Sequence, residues 1–300
     1  PALSKIARNR VHQPFDDTLS KHSKVSIIVP LYNEEHHVRA LCKSLKRQTL
    51  SNIEVLLVDN GSTDRTVDIA SQYFPVIDCP EPGSYAARNV GIIQATGDYL
   101  LFTDGDCIPH PKWAEQIVMY LQQGFDVVAG HTVGIDFHNS ILCQEMVQGS
   151  RARIMCKGNY CKCYLPTCNV GYRRQVFDKL GLFENASGAD TRFSQAAYDA
   201  GFRCIINPKA IVYHRIADSY WDLCKRWFRH AAYRDLRWYG LIAACLRFVF
   251  LPLSVILVAI DEVFELERLV TKQSQLVLAR LIRKAVSTFF FSAGAISYTF

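Results

Sequence analysis

Short apolar runs alternate with amphipathic stretches from residue 25 onward. Val25 to Val29 (VSIIV) is a β-branched run ended by Pro30, which predicts a buried parallel strand. A helix is expected to open at Asn33-Glu34-Glu35, with Asn33 as its N-cap and Val38, Leu41, Cys42 and Leu45 at helical spacing. Ile53 to Val58 (IEVLLV) predicts a second strand. The turn residues Asp59-Asn60-Gly61-Ser62 follow it, and Ser62 or Asp64 is placed to cap the next helix. A short strand at Pro75 to Ile77, a helix at Ser84 to Ala95 and a strand at Tyr99 to Thr103 (YLLFT) come next. Strand and helix in alternation imply right-handed crossovers and an α/β, doubly wound, mostly parallel sheet with helices on both faces.

Further along, the pattern gives a strand at Val127 to Ala129 and a less regular region to residue 170. Helices are expected at Arg174 to Leu180 and Thr191 to Ala200, with short strands at Cys204 to Ile206 and Ile211 to Tyr213. The last third changes character. Ser219 to Tyr239 predicts a helix rich in Trp, Tyr, Lys and Arg, and residues 221–247 hold six basic against two acidic residues. Leu241 to Ile260 carries one charge, Arg247, over about one bilayer span, and 285–300 is a second uncharged apolar stretch. A basic, aromatic segment beside apolar ones fits a membrane interface better than a nucleic-acid groove. The pattern divides the chain into an extension (1–24), an α/β domain (25–218, in two halves that meet at 107) and C-terminal interfacial and apolar helices (219–300). Attachment through those helices to the cytoplasmic face of a membrane is the expectation.

Composition excludes wholesale disorder: 49% of the 300 residues are hydrophobic and 21% charged. Eleven cysteines are an odd number, no signal peptide is visible in residues 1–24, and reduced thiols are expected. Cys156, Cys161, Cys163 and Cys168 contain no Cys-x-x-Cys spacing, which argues against structural zinc.

Ligands of doubly wound sheets sit beyond the carboxyl ends of the strands, where Tyr32, Asp59 and Asp104 all fall. Asp104-Gly105-Asp106 follows a buried strand with two carboxylates one residue apart. Such a pair can hold a hard divalent cation, Mn²⁺ or Mg²⁺, against a diphosphate.

The segments VSIIVPLYNEE, EVLLVDNGSTD, ARNVG and GDYLLFTDGDC, in this order, resemble the family 2 inverting glycosyltransferases with a GT-A nucleotide-sugar fold. The resemblance is dense over 25–107 and thins toward residue 216. It implies a metal-dependent transfer of one sugar from a nucleotide diphosphate sugar, UDP favoured, to a lipid-linked or membrane-proximal saccharide. It places Pro30, Tyr32 and Glu34 at the nucleobase pocket, with Tyr32 as a stacking surface. Asp59 would bond the base or ribose, although Asn60 stands where the family often has a second Asp. Arg88 would approach the diphosphate; a surface helix charge is the other reading. Asp104 and Asp106 would hold the metal, and His214 would complete the site or be structural. Asn169 would contact the donor sugar. Gly188-Ala189-Asp190 matches the family's base segment without its usual Glu, so Asp190 stands as the catalytic base; an Asp at a helix start is equally an N-cap.

Arg226-Trp227 echoes the Gln-x-x-Arg-Trp signature of processive synthases, but Leu223 replaces the Gln. A dinucleotide oxidoreductase is excluded, because PLYNEE stands where Gly-x-Gly-x-x-Gly is required. A non-catalytic nucleotide-sugar or membrane adaptor remains as a second class, which donor turnover separates from an enzyme.

Overall fold

The computed structural model describes residues 24–135, 152–157 and 160–215. The expected interfacial helix, the apolar stretches at 241–260 and 285–300, and Arg226-Trp227 lie outside them. Among the described residues no helix is long and apolar enough to cross a membrane. The chain divides into two compact units, one of Pro1–His131 with Ala152–Val212, the other of Thr132–Arg151 with Tyr213–Phe300.

The first unit carries nearly all described elements. In chain order they are β1 (Val25–Leu31), α1 (Val38–Lys46), β2 (Ile53–Asp59), α2 (Thr66–Ala70), β3 (Val76–Asp78), α3 (Ser84–Gln94), β4 (Tyr99–Phe102) and β5 (Cys107–Pro109). There follow α4 (Trp113–Gln122), β6 (Val127–Ile135), β7 (Arg153–Lys157), β8 (Tyr160–Tyr164), β9 (Val170–Arg173), α5 (Arg174–Leu180), α6 (Ala189–Asp199) and β10 (Cys204–Arg215). Of the second unit, only the ends of β6 and β10 are described.

The main sheet has the order β3-β2-β1-β4-β9-β6-β10-β5. The pairs β3–β2, β2–β1 and β1–β4 are parallel, as the alternating pattern predicts. The expectation of a mostly parallel sheet fails beyond β4, because β9 lies between β4 and β6 antiparallel to both. Parallel pairing follows strand–helix–strand crossovers, as between β1 and β4; the described chain between β6 and β9 holds the β7–β8 hairpin and no crossover helix. The sheet is mixed.

Three further departures have physical reasons. The region expected to be irregular contains the β7–β8 hairpin, whose register sets Cys156 opposite Cys161. A disulfide joins these two, against the expectation of reduced thiols, while Cys42, Cys79, Cys107, Cys163, Cys168 and Cys204 are free. The two short strands expected near 204–213 are one, β10. Pro208 fits within it because the Asn207 side chain takes up neighbouring groups, accepting from Lys209 N–H at 3.0 Å and donating to the Gln116 carbonyl at 2.9 Å.

Both sheet faces are packed. On one, α1 buries Val38, Leu41, Cys42 and Leu45, at the spacing read from sequence, and α4 buries Trp113, Ile117 and Leu121. On the other, Phe102 and Tyr172 from β4 and β9 meet Phe177, Phe183 and Phe193. The ring centroids of Phe183 and Phe193 are 4.6 Å apart, and those of Phe177 and Phe193 4.9 Å. Each such contact adds about 0.5–1.5 kcal/mol beyond burial. The cluster fixes α6 on the sheet through Phe193, one turn after Asp190.

Candidate active site

The loops after β1 and β2 are joined side by side. Asn33 does not cap α1, whose N-cap is His37. It has φ 54°, a conformation Asn tolerates better than most residues. Its side-chain Oδ1 accepts the Thr63 N–H at 2.8 Å, and its own N–H donates to Ser62 Oγ at 3.0 Å. Glu34 N–H donates to Thr66 Oγ1 at 2.6 Å, and Glu35 N–H to Asp64 at 3.1 Å. Asp64 also accepts the Thr66 N–H at 2.9 Å, but the N-cap of α2 is Arg65, so neither Ser62 nor Asp64 holds the capping position expected of them.

Within this frame the buried Asp59 carboxylate organises its own turn, accepting from Gly61 N–H at 3.1 Å and Ser62 N–H at 3.0 Å. Ser62 Oγ takes its other oxygen at 2.5 Å. Asn60 clamps the loop before α3: its Nδ2 donates to the Cys79 and Glu81 carbonyls at 3.2 and 2.6 Å, and its Oδ1 accepts from Gly83 N–H at 2.6 Å. An Asp at this position has no proton to donate at neutral pH, which accounts for Asn here. Pro30 is buried in β1, and Tyr32 just beyond it is 58% exposed, an open ring at the strand end.

Asp104-Gly105-Asp106 follows β4 as expected. Arg88 is no surface charge: it is buried on α3 and ion-paired with Asp104, and it donates to the Ser84 carbonyl at 3.1 Å. Burial opposes its charge, yet Asp104, with Tyr85 and Asp190, more than offsets this and raises its pKa. Glu34 lies over Gly105, where an added Cβ would fall 2.8 Å from Glu34 Cγ. His37 Nδ1 is 2.9 Å from the Glu34 carboxylate. Burial raises the Glu34 pKa; the His37 hydrogen bond opposes this, and the like charges of Asp106 and Asp104 add to it.

The ligand-type atoms of Asp104, Asp106 and Cys107 lie within 4.8 Å of one another. Burial, with Asp106 and Asp104 adding, pushes the Cys107 thiol well up, so it stays protonated and donates to Asp106 Oδ1 at 3.6 Å. The available donors are therefore carboxylate oxygens, which fit a hard cation such as Mg²⁺ or Mn²⁺. His214 is a buried residue near the end of β10, in the second unit.

Asp190 lies inside the first turn of α6, so it is not the N-cap; Gly188 is, at φ 73°. Its Oδ1 accepts the Thr191 N–H at 2.8 Å, and its own N–H donates to the Tyr85 hydroxyl at 3.3 Å. Burial raises its pKa above the ordinary aspartate value, and the Thr191 amide, Arg88 and Tyr85 pull downward without cancelling it. A carboxylate so raised is suited to accept a proton. Tyr85 was absent from the sequence reading, although its place three residues before Arg88 on one helix face is a usable signal.

Asn169 is fully buried, accepts from Trp113 Nε1 at 2.8 Å and donates to the Ala210 carbonyl at 3.1 Å, so its amide ties the segment before β9 to α4 and β10.

A family model described as Glycosyl transferase family 2 matches residues 26–181. The chain belongs to glycosyltransferase family 2. Among curated members it is 35% identical over 225 residues to Glycosyltransferase AglE of Haloferax volcanii, covering 68% of this chain and 71% of that one. Among solved structures it resembles S. aureus TarS 1–349 in complex with UDP-GlcNAc, with TM-score 0.53, 20% identity, and coverage of 92% and 91% of the two chains. The mannosyltransferase PcManGT from Pyrobaculum calidifontis, in complex with GDP-Man and Mn²⁺, gives TM-score 0.55 at 16% identity over 100% and 94%. These likenesses establish the GT-A type of α/β fold with its mixed sheet. As a family member the protein is a glycosyltransferase using a nucleotide-sugar donor.

Proposed function

We propose that the protein is a metal-dependent, inverting transferase that moves one sugar from a nucleotide diphosphate sugar to a saccharide hydroxyl on a lipid-linked or membrane-proximal acceptor. The observation that carries this reading is the chain of contacts from Asp104 through Arg88 and Tyr85 to Asp190. It connects the carboxylate pair suited to a diphosphate-bound cation with a carboxylate suited to be a base.

In this scheme Tyr32 stacks on the nucleobase, and Pro30 and the loop built by Asp59 and Glu34 shape its pocket. Asp104 and Asp106 hold the cation, with His214 as the further ligand that the resemblance implies. Mn²⁺ or Mg²⁺ bound there supplies Lewis-acid neutralisation of charge on the diphosphate. Asp190 accepts the proton of the acceptor hydroxyl. The acceptor oxygen forms its bond to the anomeric carbon as the bond to the diphosphate oxygen breaks, and the nucleoside diphosphate leaves with inversion. Arg88 holds Asp104 in place and adds positive charge behind the diphosphate side of the site. The donors bound by TarS and PcManGT, and the Mn²⁺ of the latter, support the donor and cofactor classes. The basic, aromatic and apolar composition of 219–300 supports attachment at the cytoplasmic face of a membrane.

The test is turnover of a panel of nucleotide sugars with extracted lipid as acceptor, with and without Mn²⁺ or Mg²⁺. Metal-dependent release of nucleoside diphosphate is expected from the wild type, and Asp106→Ala should lose it together with metal-dependent donor binding. Equal donor affinity in wild type and Asp106→Ala would sink the metal assignment.

A further inference from the structure

Gly188 has no side chain with which to cap α6, so the first-turn amides must find partners elsewhere. The Asp190 N–H finds Tyr85, 105 residues earlier in the chain, whose hydroxyl oxygen accepts it at 3.3 Å. The hydroxyl is also among the groups that hold the Asp190 pKa down against burial. Its ring has little freedom. The Phe183 ring lies 5.6 Å away, centroid to centroid, and the Arg88 guanidinium 5.0 Å over its face. Arg88 is itself fixed by Asp104 and the Ser84 carbonyl.

We propose that Tyr85 is a positioning residue for glycosyl transfer: its hydroxyl clamps the backbone amide of Asp190 and so sets the base's orientation against the Arg88–Asp104 pair. This rests on the reading of Asp190 as the base. Without the clamp, the Asp190 amide loses its partner while the side chain keeps the Thr191 amide and hydroxyl of its own helix, so the first turn of α6 can shift and direct the carboxylate away from an acceptor. Tyr85 acts through Asp190, so its loss should reduce kcat and leave donor binding alone.

The groups facing Asp190 are Tyr85 and Arg88 from α3, Asp104 after β4, Tyr164 from β8 and Tyr172 from β9. Burial raises the Asp190 pKa and the Tyr85 hydroxyl is among the groups that oppose it, so removing that hydroxyl raises the pKa further. A base works deprotonated, so the acid limb of kcat/KM should move to higher pH.

Tyr85→Phe in the full chain tests this, because it keeps the ring contacts with Phe183 and Arg88 and removes only the hydroxyl. Steady-state transfer across pH and donor affinity by calorimetry are the readouts. The expected result is kcat lower by about 10- to 100-fold, the scale of one hydrogen bond to a charged group. Donor affinity should be unchanged and the acid limb shifted upward. Wild-type kcat with an unmoved limb would overturn the proposal, as would a rate loss that follows a lowered melting temperature with the limb in place. Tyr85→Ala, which also loses the ring, should show the same limb shift; an unmoved limb there counts against the clamp as well. Asp190→Asn separates the two readings. If it transfers normally, the base assignment itself is wrong; if it is inactive while Tyr85→Phe is normal, only the clamp is wrong.

Discussion

The parallel and antiparallel halves of the sheet build their parts of the site by different means. In the parallel half, Tyr32, Asp59 and Asp104 each lie just past or at the end of a strand, and neighbouring loops fix them by short hydrogen bonds, such as Asn33 to Thr63 and Glu34 to Thr66. In the antiparallel half, Asp190 sits on a helix whose N-cap offers no side chain, and a residue of α3 holds it from 105 positions away. The first half is assembled from adjacent strand–loop units, whereas the second depends on the first. Arg88 and Tyr85, both on α3, carry that dependence.

Breaking the connection should have the largest effect. Arg88→Met leaves the Asp104 carboxylate, 27% exposed, without its cation, and removes the charge stacked on Tyr85. Loss of one partner of such a buried pair should cost about 3 kcal/mol by denaturant unfolding. Transfer should fall by about 100-fold or more, the effect of small misplacement at a reacting centre. Stability within about 0.5 kcal/mol of wild type would mean that the two halves are held independently. A smaller, sharper change is Asn60→Asp, which touches the parallel half alone. It replaces donors to the Cys79 and Glu81 carbonyls with a carboxylate that repels them. A loss of about 1–3 kcal/mol is expected, with a raised donor KM and nearly unchanged kcat. A drop in kcat at constant KM would contradict the division.

The same division explains what was legible in the sequence. The strands β1, β2 and β4, the amphipathic face of α1, and the acidic pair at the end of β4 are local features, carried by periodicity and by residues next to one another. Asp190 was legible as a candidate, but not its release from capping, because that follows from the backbone of Gly188 and from Tyr85. For Arg88 the sequence gives an approach to the diphosphate with a surface helix charge as the other reading, and only the packing of α3 shows it to be buried and paired with Asp104. Asn169 reads from sequence as a donor-sugar contact, while its buried partners on α4 and β10 are remote in sequence. The insertion of β9, the β7–β8 hairpin and the Cys156–Cys161 bridge likewise depend on strand pairing that alternation alone does not specify.

If Asp190 is the base, Asp190→Asn removes the proton acceptor itself. Asn is nearly the same shape, retains an oxygen for the Thr191 N–H and keeps the backbone N–H that donates to Tyr85, but it cannot take a proton at neutral pH. The comparison is kcat/KM across pH for wild type and Asp190→Asn, with donor affinity measured in parallel. The account predicts a loss of about 10²- to 10⁴-fold at neutral pH. It also predicts unchanged donor affinity, and disappearance of the wild-type acid limb, whose midpoint should lie above the ordinary aspartate value. Wild-type turnover in Asp190→Asn with the acid limb intact would contradict it and move the base to another residue.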